Sequence, residues 1–449
     1  MGRRSRGRRL GIWANGVYVG DWSLPAYGPM ELRYAESWMA SPAGRPLSLS
    51  LPFGDAGTVL KGDPVQHYFD NLLPDSDAIR RRVAARFAAA SAEAFDLLAA
   101  IGRDCVGAVQ LLPDGETPEG VMTIDGRPLS DDEVAQHLLR VAAPPGQARW
   151  NDEDDLRISL AGAQEKTALL RHQGRWCLPH GATPTTHIFK LPLGLVGNRK
   201  LDFSASLENE WLCARILAAY GLPVANCEIL AFGAVKALAV ERFDRQLHSS
   251  GRWWMRLPQE DFCQATDTPS HLKYENQGGP GMLEIARILG HSTQAEKDQA
   301  DFFAAQVLFW MLAATDGHAK NFSLHIHPQG RYSMTPLYDV LSIWPVEGDG
   351  GGQVSRFEAK LAMAFRGRHK HYGLREIRRG HMIHTAGLMG LRAPDALIAR
   401  IVERTPAVIA AVGAELPAGF PQRVADAMLG GLQRQASALA AMADGGDGG

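Results

Sequence analysis

The order of apolar and polar residues changes period several times along the chain, and each change predicts a different kind of element. The run LGIWANGVYVGDW places Asn15-Gly16 between β-branched and aromatic stretches, the pattern of a tight hairpin. RPLSLSLPF alternates at period two from Leu47 to Leu51, which predicts a further strand. From Val65 to Ala100 the period becomes helical. Asp75, Ser76 or Asp77 can cap DAIRRRVAARFAAA, which puts Ile79, Val83 and Phe87 on one face. GRDCVGAVQLLP then reads as a turn and strand, completing a β-rich domain over 1–112. Residues 113–155 shift to Pro, Gly and acid and end in Asn151-Asp152-Glu153-Asp154-Asp155, the composition of a linker. Residues 156–245 predict an antiparallel sheet with one inserted helix, LENEWLCARILAAYG. Residues 246–435 turn mostly helical, with MLEIARILG, AEKDQADFFAAQVLFWMLAAT and DALIARIVERTPAVIAAVGAEL. Residues 436–449, ending in AMADGGDGG, predict a disordered tail.

At 449 residues the chain can bury more than one core without staples. Hydrophobic residues at 45% and charged residues at 21% exclude collagen, coiled coil and wholesale disorder. A formal charge of −2 supplies no global field toward nucleic acid or anionic lipid, so any such contact must be a local patch. Cys105, Cys177, Cys213, Cys227 and Cys263 are widely spaced with no C-x-x-C pair, which fits a reducing cytoplasm better than a disulfide framework or thiolate zinc site. The Arg-rich start lacks the following apolar run of a signal peptide, and Arg3 to Arg9 read as a disordered leader rather than a DNA arm. The longest apolar stretch, VLFWMLAA, is too short to span a membrane.

The sharpest chemistry lies in Asp316-Gly317-His318-Ala319-Lys320-Asn321, directly after the long predicted helix, with Asp339 closing RYSMTPLYD. Phosphoryl transfer needs a carboxylate to take the hydroxyl proton, an Asn for one Mg²⁺ and a second Asp for the metals, with the base and Asn spaced D-x-x-x-x-N. Lys190 in THIFKLP can engage phosphates, with Glu210 on the next helix as its partner. The small-residue loop Ser159 to Thr167 can cradle an anion, although it matches neither Walker A nor the kinase glycine triad. Turn roles for Asp316, Gly317 and Asn321, and a zinc site from His318, His325 and His327 with Asp316 and Asp339, are the competing readings. KYENQGGPG, Lys273 to Gly281, reads as a substrate-facing loop. Arg366, Arg368, Lys370, Arg375, Arg378 and Arg379 against Glu376 form a basic cluster, either a phosphate-contacting patch or a solvated face.

ISLAGAQEKTALL, PTTHIFKLP, ALAVERFDR, RLPQEDFCQ, KYENQGGPG, ATDGHAKNFS and TPLYD resemble, in order, the motifs of the HipA family of serine/threonine-kinase toxins. RPLSLSLP, FDNLLPDS and IGRDCVGAV extend the resemblance, so it runs from about Trp13 to Pro421. It implies an α+β fold with two lobes, protein-kinase-like and of the phosphatidylinositol 3/4-kinase-like type. An extra β-rich N-terminal domain precedes it, and the C-lobe is mostly helical. It further implies ATP and Mg²⁺ as cofactors, a HipB-like antitoxin repressor with operator DNA as partners, and an aminoacyl-tRNA synthetase, best known as glutamyl-tRNA synthetase, as substrate. On matching positions it makes Asp316 the base, Asn321 and Asp339 the metal ligands, and Ser159 the autophosphorylated serine. Nucleotide contacts fall to Ala161, Gly162, Ala163, Gln164, Lys166, Lys190 and His318, with Glu241-Arg242-Phe243 as the adenine hinge. A catalytically silent scaffold that binds a repressor and DNA is the alternative.

Overall fold

The computed structural model describes residues 7–142, 159–161, 164, 166–197 and 199–442. Asn151 to Asp155, Gly162 and Ala163 lie outside the described residues. The chain divides into two compact units, 1–191 with 230–272 and 323–332, and 192–229 with 273–322 and 333–449.

In the first unit Asn15 and Gly16 adopt positive φ (49° and 81°), and the strands Arg8–Ala14 and Val17–Leu24 pair antiparallel across them as the hairpin pattern requires. Arg8 and Arg9 belong to this strand, with Arg8 paired to Asp96, so the leader reading fails for those two residues. The five-stranded sheet is completed by Glu31–Tyr34, Val59–Lys61 and Val109–Pro113. Trp22, Phe69, Phe95, Leu97 and Leu98 form its core, Trp22 stacking on Phe69 at 3.9 Å between ring centroids. Ser76 caps the helix Asp77–Arg86 by accepting from the Ile79 N–H.

Leu47 to Leu51 form a turn and not a strand. The hydroxyls of Ser48 and Ser50 both donate to the Gln264 carbonyl, at 3.2 and 2.7 Å, and the Leu49 N–H donates to Glu260 Oε1 at 3.0 Å. Period two here serves side-chain hydrogen bonding to a neighbouring segment, which competes with a ladder for the same groups.

A six-stranded sheet runs antiparallel from Val235–Glu241 through His187–Lys190, Lys166–His172 and Arg175–Pro179 to Gly126–Pro128, with Cys227–Phe232 on the far edge. Its last strand and the helix Asp131–Ala142 come from the segment read as a linker. Ser130 and Glu133 exchange reciprocal hydrogen bonds at the helix start, and Val134 and Leu138 are buried against the sheet. That capping box, S-D-D-E, was legible in the sequence beneath the acidic composition.

The second unit holds the long helix Ala295–Leu312 with Ser206–Ala219, Pro394–Ala414 and Gln422–Ala441 packed around it. The sequence placed Ser206–Ala219 with the sheet, but Leu212, Ile216 and Leu217 are buried in this helical unit instead. Residues 246–272, assigned to the helical lobe, supply short strands to the first unit. The tail reading fails for 436–441: Ala436 and Leu439 continue the apolar stripe of the last helix and are buried, while 443–449 lie outside the described residues. Among the described residues no helix is long and apolar enough to cross a membrane.

Glu260 is fully buried beneath the Leu47–Leu51 turn, and burial pushes its carboxyl up from 4.5 to about 8. The native state therefore keeps a proton that the unfolded chain releases, so this group's stabilising contribution is complete below about pH 4.5 and is lost as pH rises through about 8. Glu260→Gln should flatten this slope, worth on the order of a few kcal/mol, in urea unfolding between acid and alkaline pH. Identical slopes in variant and wild type would contradict it.

Candidate active site

The long helix ends where Ala313 takes a left-handed backbone (φ 48°) and the Ala314 N–H closes onto the Phe309 carbonyl at 2.8 Å. This turn delivers Asp316 to the surface with its side chain 58% exposed. His318 is buried, and the tight turn Ala319–Asn321 follows it. Asn321 Nδ2 donates to the Asp316 carbonyl at 2.8 Å and to the Asp339 carbonyl at 3.4 Å. One buried amide thus ties the two aspartate backbones together and leaves its oxygen as the acceptor. Asp339 itself is left-handed (φ 59°), a conformation Asp tolerates better than most residues. The strain is held from both sides. Tyr338 donates its hydroxyl to the Lys320 carbonyl at 2.9 Å, and Ser342 exchanges hydrogen bonds with Asn209 at 2.7 and 2.9 Å and donates to the Leu312 carbonyl at 2.6 Å.

Asp316, Asn321 and Asp339 are therefore gathered in one unit, and His318 joins them with Nε2 4.0 Å from Asp316 Oδ1. The zinc alternative does not assemble: the strand Ser323–Ile326 ends before His327, and His325 turns edge-on to Phe243 at 5.7 Å. Among the described residues no group of three His, Cys, Asp or Glu is gathered to hold a metal ion.

The Lys273 to Gly281 segment braces the site. Tyr274 donates its hydroxyl to Asp316 Oδ1 and sets its ring edge against His318 at 5.0 Å. The buried Glu275 carboxylate accepts from the Ala364 N–H at 2.7 Å and pairs with Arg366 at 3.2 Å and Lys370 at 3.0 Å. Sequence reasoning missed both side chains. The available signal was a lone acid between a Gly-rich turn and a basic stretch that needed a counter-charge. The basic cluster is accordingly not a uniform solvated face: besides those two pairs, Arg379 pairs with Asp395 at 2.6 Å and Arg375 lies over the Phe357 ring at 4.2 Å.

In the first unit Lys190 is buried in its strand and stands in register with Lys166 on the neighbouring strand. Gln164 Nε2 donates at 2.8 Å to the carbonyl of Leu191, the residue after Lys190, and Ala161 is also among the described residues. Glu241 ends its strand and Phe243 lies two residues on. Arg242 between them turns inward, with Nη1 donating to Thr185 Oγ1 at 2.9 Å and Nη2 to Asp244 Oδ2 at 2.8 Å. Ser159 is fully buried: its hydroxyl donates to the Leu72 carbonyl at 2.7 Å and its N–H to the Asp104 carbonyl at 3.2 Å. Lys190 and Glu210 fall in different units.

Comparison with known proteins adds independent findings. Residues 10–112 match the HipA N-terminal domain and residues 158–411 match the HipA-like C-terminal domain. The chain is 34% identical to the putative kinase Y4mE of Sinorhizobium fredii over 338 residues, 75% of this chain and 77% of that one. It is 28% identical to the serine/threonine-protein kinase toxin HipA of Shewanella oneidensis over 365 residues, 78% of this chain and 76% of that one. The solved Shewanella oneidensis HipA, HipB and operator DNA complex superposes with a TM-score of 0.78 at 25% identity, covering 96% of this chain and 98% of that one.

Gly317 is a tight point of the site, since an added Cβ would lie 2.5 Å from the Phe309 ring. That ring is buried and packs on Phe322, so it cannot retreat cheaply. Gly317→Ala should cost roughly 1–3 kcal/mol in denaturant unfolding. Unchanged stability would show that this turn is looser than its packing.

Proposed function

The chain belongs to the HipA family, and on that footing we propose that it is an ATP- and Mg²⁺-dependent protein serine/threonine kinase acting as the toxin of a toxin–antitoxin pair. The observation that carries the reading is the Asn321 amide bridging the Asp316 and Asp339 backbones, because it brings a candidate base and two candidate metal ligands from separate segments together. The donor chemistry fits the implied ion: the Asn321 amide oxygen and the Asp339 carboxylate are hard oxygen ligands, the kind Mg²⁺ takes. When bound, Mg²⁺ would neutralise charge on the phosphates.

The chain's own groups divide the remaining work. Asp316, exposed and anionic, accepts the proton of the substrate serine or threonine hydroxyl. Lys190 and Lys166 stand opposite each other on paired strands, so the two ammonium groups can be offered to the same triphosphate. Backbone N–H groups of Ala161, Gly162 and Ala163, steadied by Gln164, receive phosphate oxygens. Glu241 and Phe243 present the adenine hinge, and His318, whose Nε2 is 4.0 Å from Asp316 Oδ1, is a further nucleotide contact. A HipB-like repressor and operator DNA as partners are supported by the Shewanella complex. The protein substrate, an aminoacyl-tRNA synthetase with glutamyl-tRNA synthetase foremost, is carried by the family resemblance, as is growth arrest through halted translation.

The burial of Ser159 supports self-inactivation by autophosphorylation. A phosphate of −1.5 to −2 charges cannot remain in a dry site against the Leu72 carbonyl, so the modified serine must leave and take the phosphate loop with it.

With labelled ATP and Mg²⁺, the wild-type chain should incorporate phosphate, and Asp316→Asn and Asp339→Asn should each lose roughly a hundredfold or more of the rate. Wild-type labelling in either variant would sink the site assignment. By calorimetry, Ser159→Ala should keep ATP affinity while the phosphorylated chain loses roughly tenfold or more. Equal affinities would remove Ser159 from regulation.

A further inference from the structure

An exposed carboxylate is a poor base unless something holds it still. The Asp316 side chain is 58% exposed, and on a surface turn it would sample several rotamers, few of which aim an oxygen at a substrate hydroxyl. Residues 273 and 274 remove that freedom by separate contacts. The Tyr274 hydroxyl donates to Asp316 Oδ1, its ring edge meets His318 at 5.0 Å, and the Lys273 carbonyl accepts from the Ala319 N–H at 3.3 Å. Tyr274 is in turn fixed from behind. Glu275, the next residue, is buried and grips the Ala364 N–H, Arg366 and Lys370. Gly278 in a left-handed conformation (φ 108°) lets the Gly279 N–H return to the Tyr274 carbonyl at 3.0 Å. Gly281 packs so closely on Glu275 that an added Cβ would lie 2.3 Å from its carboxyl carbon.

We propose that Tyr274 is the positioning residue of the phosphoryl-transfer reaction. Its hydroxyl, donated to Asp316 Oδ1, fixes the orientation in which the carboxylate is offered to the substrate hydroxyl. The inference rests on the kinase reading above and adds a residue to it. The phenol is a neutral donor, so it orients the carboxylate without taking its charge, which a lysine at this position would partly cancel.

The test uses the full chain, labelled ATP with Mg²⁺, and casein alongside the chain itself as phosphoryl acceptors. Tyr274→Phe keeps the ring against His318 and deletes only the donor. It should lower kcat roughly 10–100-fold while KM for ATP and the melting temperature stay at wild-type values. In the Asp316→Asn background the same change should cost no further rate, because the group it positions is already gone. Wild-type kcat in Tyr274→Phe, an equal additional loss in the Asp316→Asn background, or a fall in melting temperature accompanying the loss of rate would each overturn the positioning role. A wild-type chain that transfers no phosphoryl group would bring down the kinase reading and this inference with it. Normal wild-type turnover with an indifferent Tyr274→Phe brings down the inference alone.

Discussion

A dry cluster of five charges holds the first unit together. Asp104 from the β-rich domain meets Arg242, Asp244, Arg245 and Arg256 from the segment that follows the larger sheet, all of them buried. Burial alone would raise the Asp104 carboxyl, but the guanidiniums of Arg245, Arg242 and Arg256 outweigh it and hold the group below the usual carboxylate range. Three cations face two anions, and the surplus charge is spread over backbone carbonyls: Cys105 and Gly107 accept from Arg245 at 2.9 and 2.8 Å, and Ala182 accepts from Arg256 at 2.8 Å. Such a cluster adds little net stability over a greasy core of the same volume. Losing one member strands the rest in low dielectric, so it specifies one arrangement strongly.

Much of the candidate nucleotide machinery hangs from this cluster. Arg242 is the middle residue of the hinge candidate, and its inward side chain fixes the strand end that carries Glu241 and Phe243. The Asp104 carbonyl receives the Ser159 N–H, and the Leu72 carbonyl of the same domain receives its hydroxyl. The N-terminal domain thus shares one compact unit with the sheet bearing Lys190, and it holds Ser159 through both of those carbonyls.

The second unit solves a different problem, that of holding acidic and strained groups at a surface. Asn321, Ser342 with Asn209, and Tyr274 with Glu275 each use ordinary hydrogen bonds to fix a backbone or a carboxylate in one place. The same economy consumes much of the basic cluster. Arg366 and Lys370 neutralise Glu275, so these side chains are structural before they can contact any phosphate.

Elements whose causes are local can be read from a few contiguous residues. Asn15-Gly16 makes its hairpin because both residues tolerate positive φ, Ser76 caps its helix, and Asp316 and Asn321 meet because five residues of tight turn leave them no other geometry. The family motifs were legible for the same reason, since each is a short contiguous string. The remaining features depend on partners far apart in the chain. Leu47 to Leu51 lost their strand to Glu260 and Gln264, more than two hundred residues away, and the helix Asp131–Ala142 emerged from an acidic linker because a sheet was there to bury Val134 and Leu138. Tyr274 and Glu275 were invisible as site residues because nothing in K-Y-E-N-Q says which carboxylate, or which arginine, the fold will bring to them. Local propensity acts over a few residues, whereas the pairing of buried charge and strained backbone is settled only when the core closes.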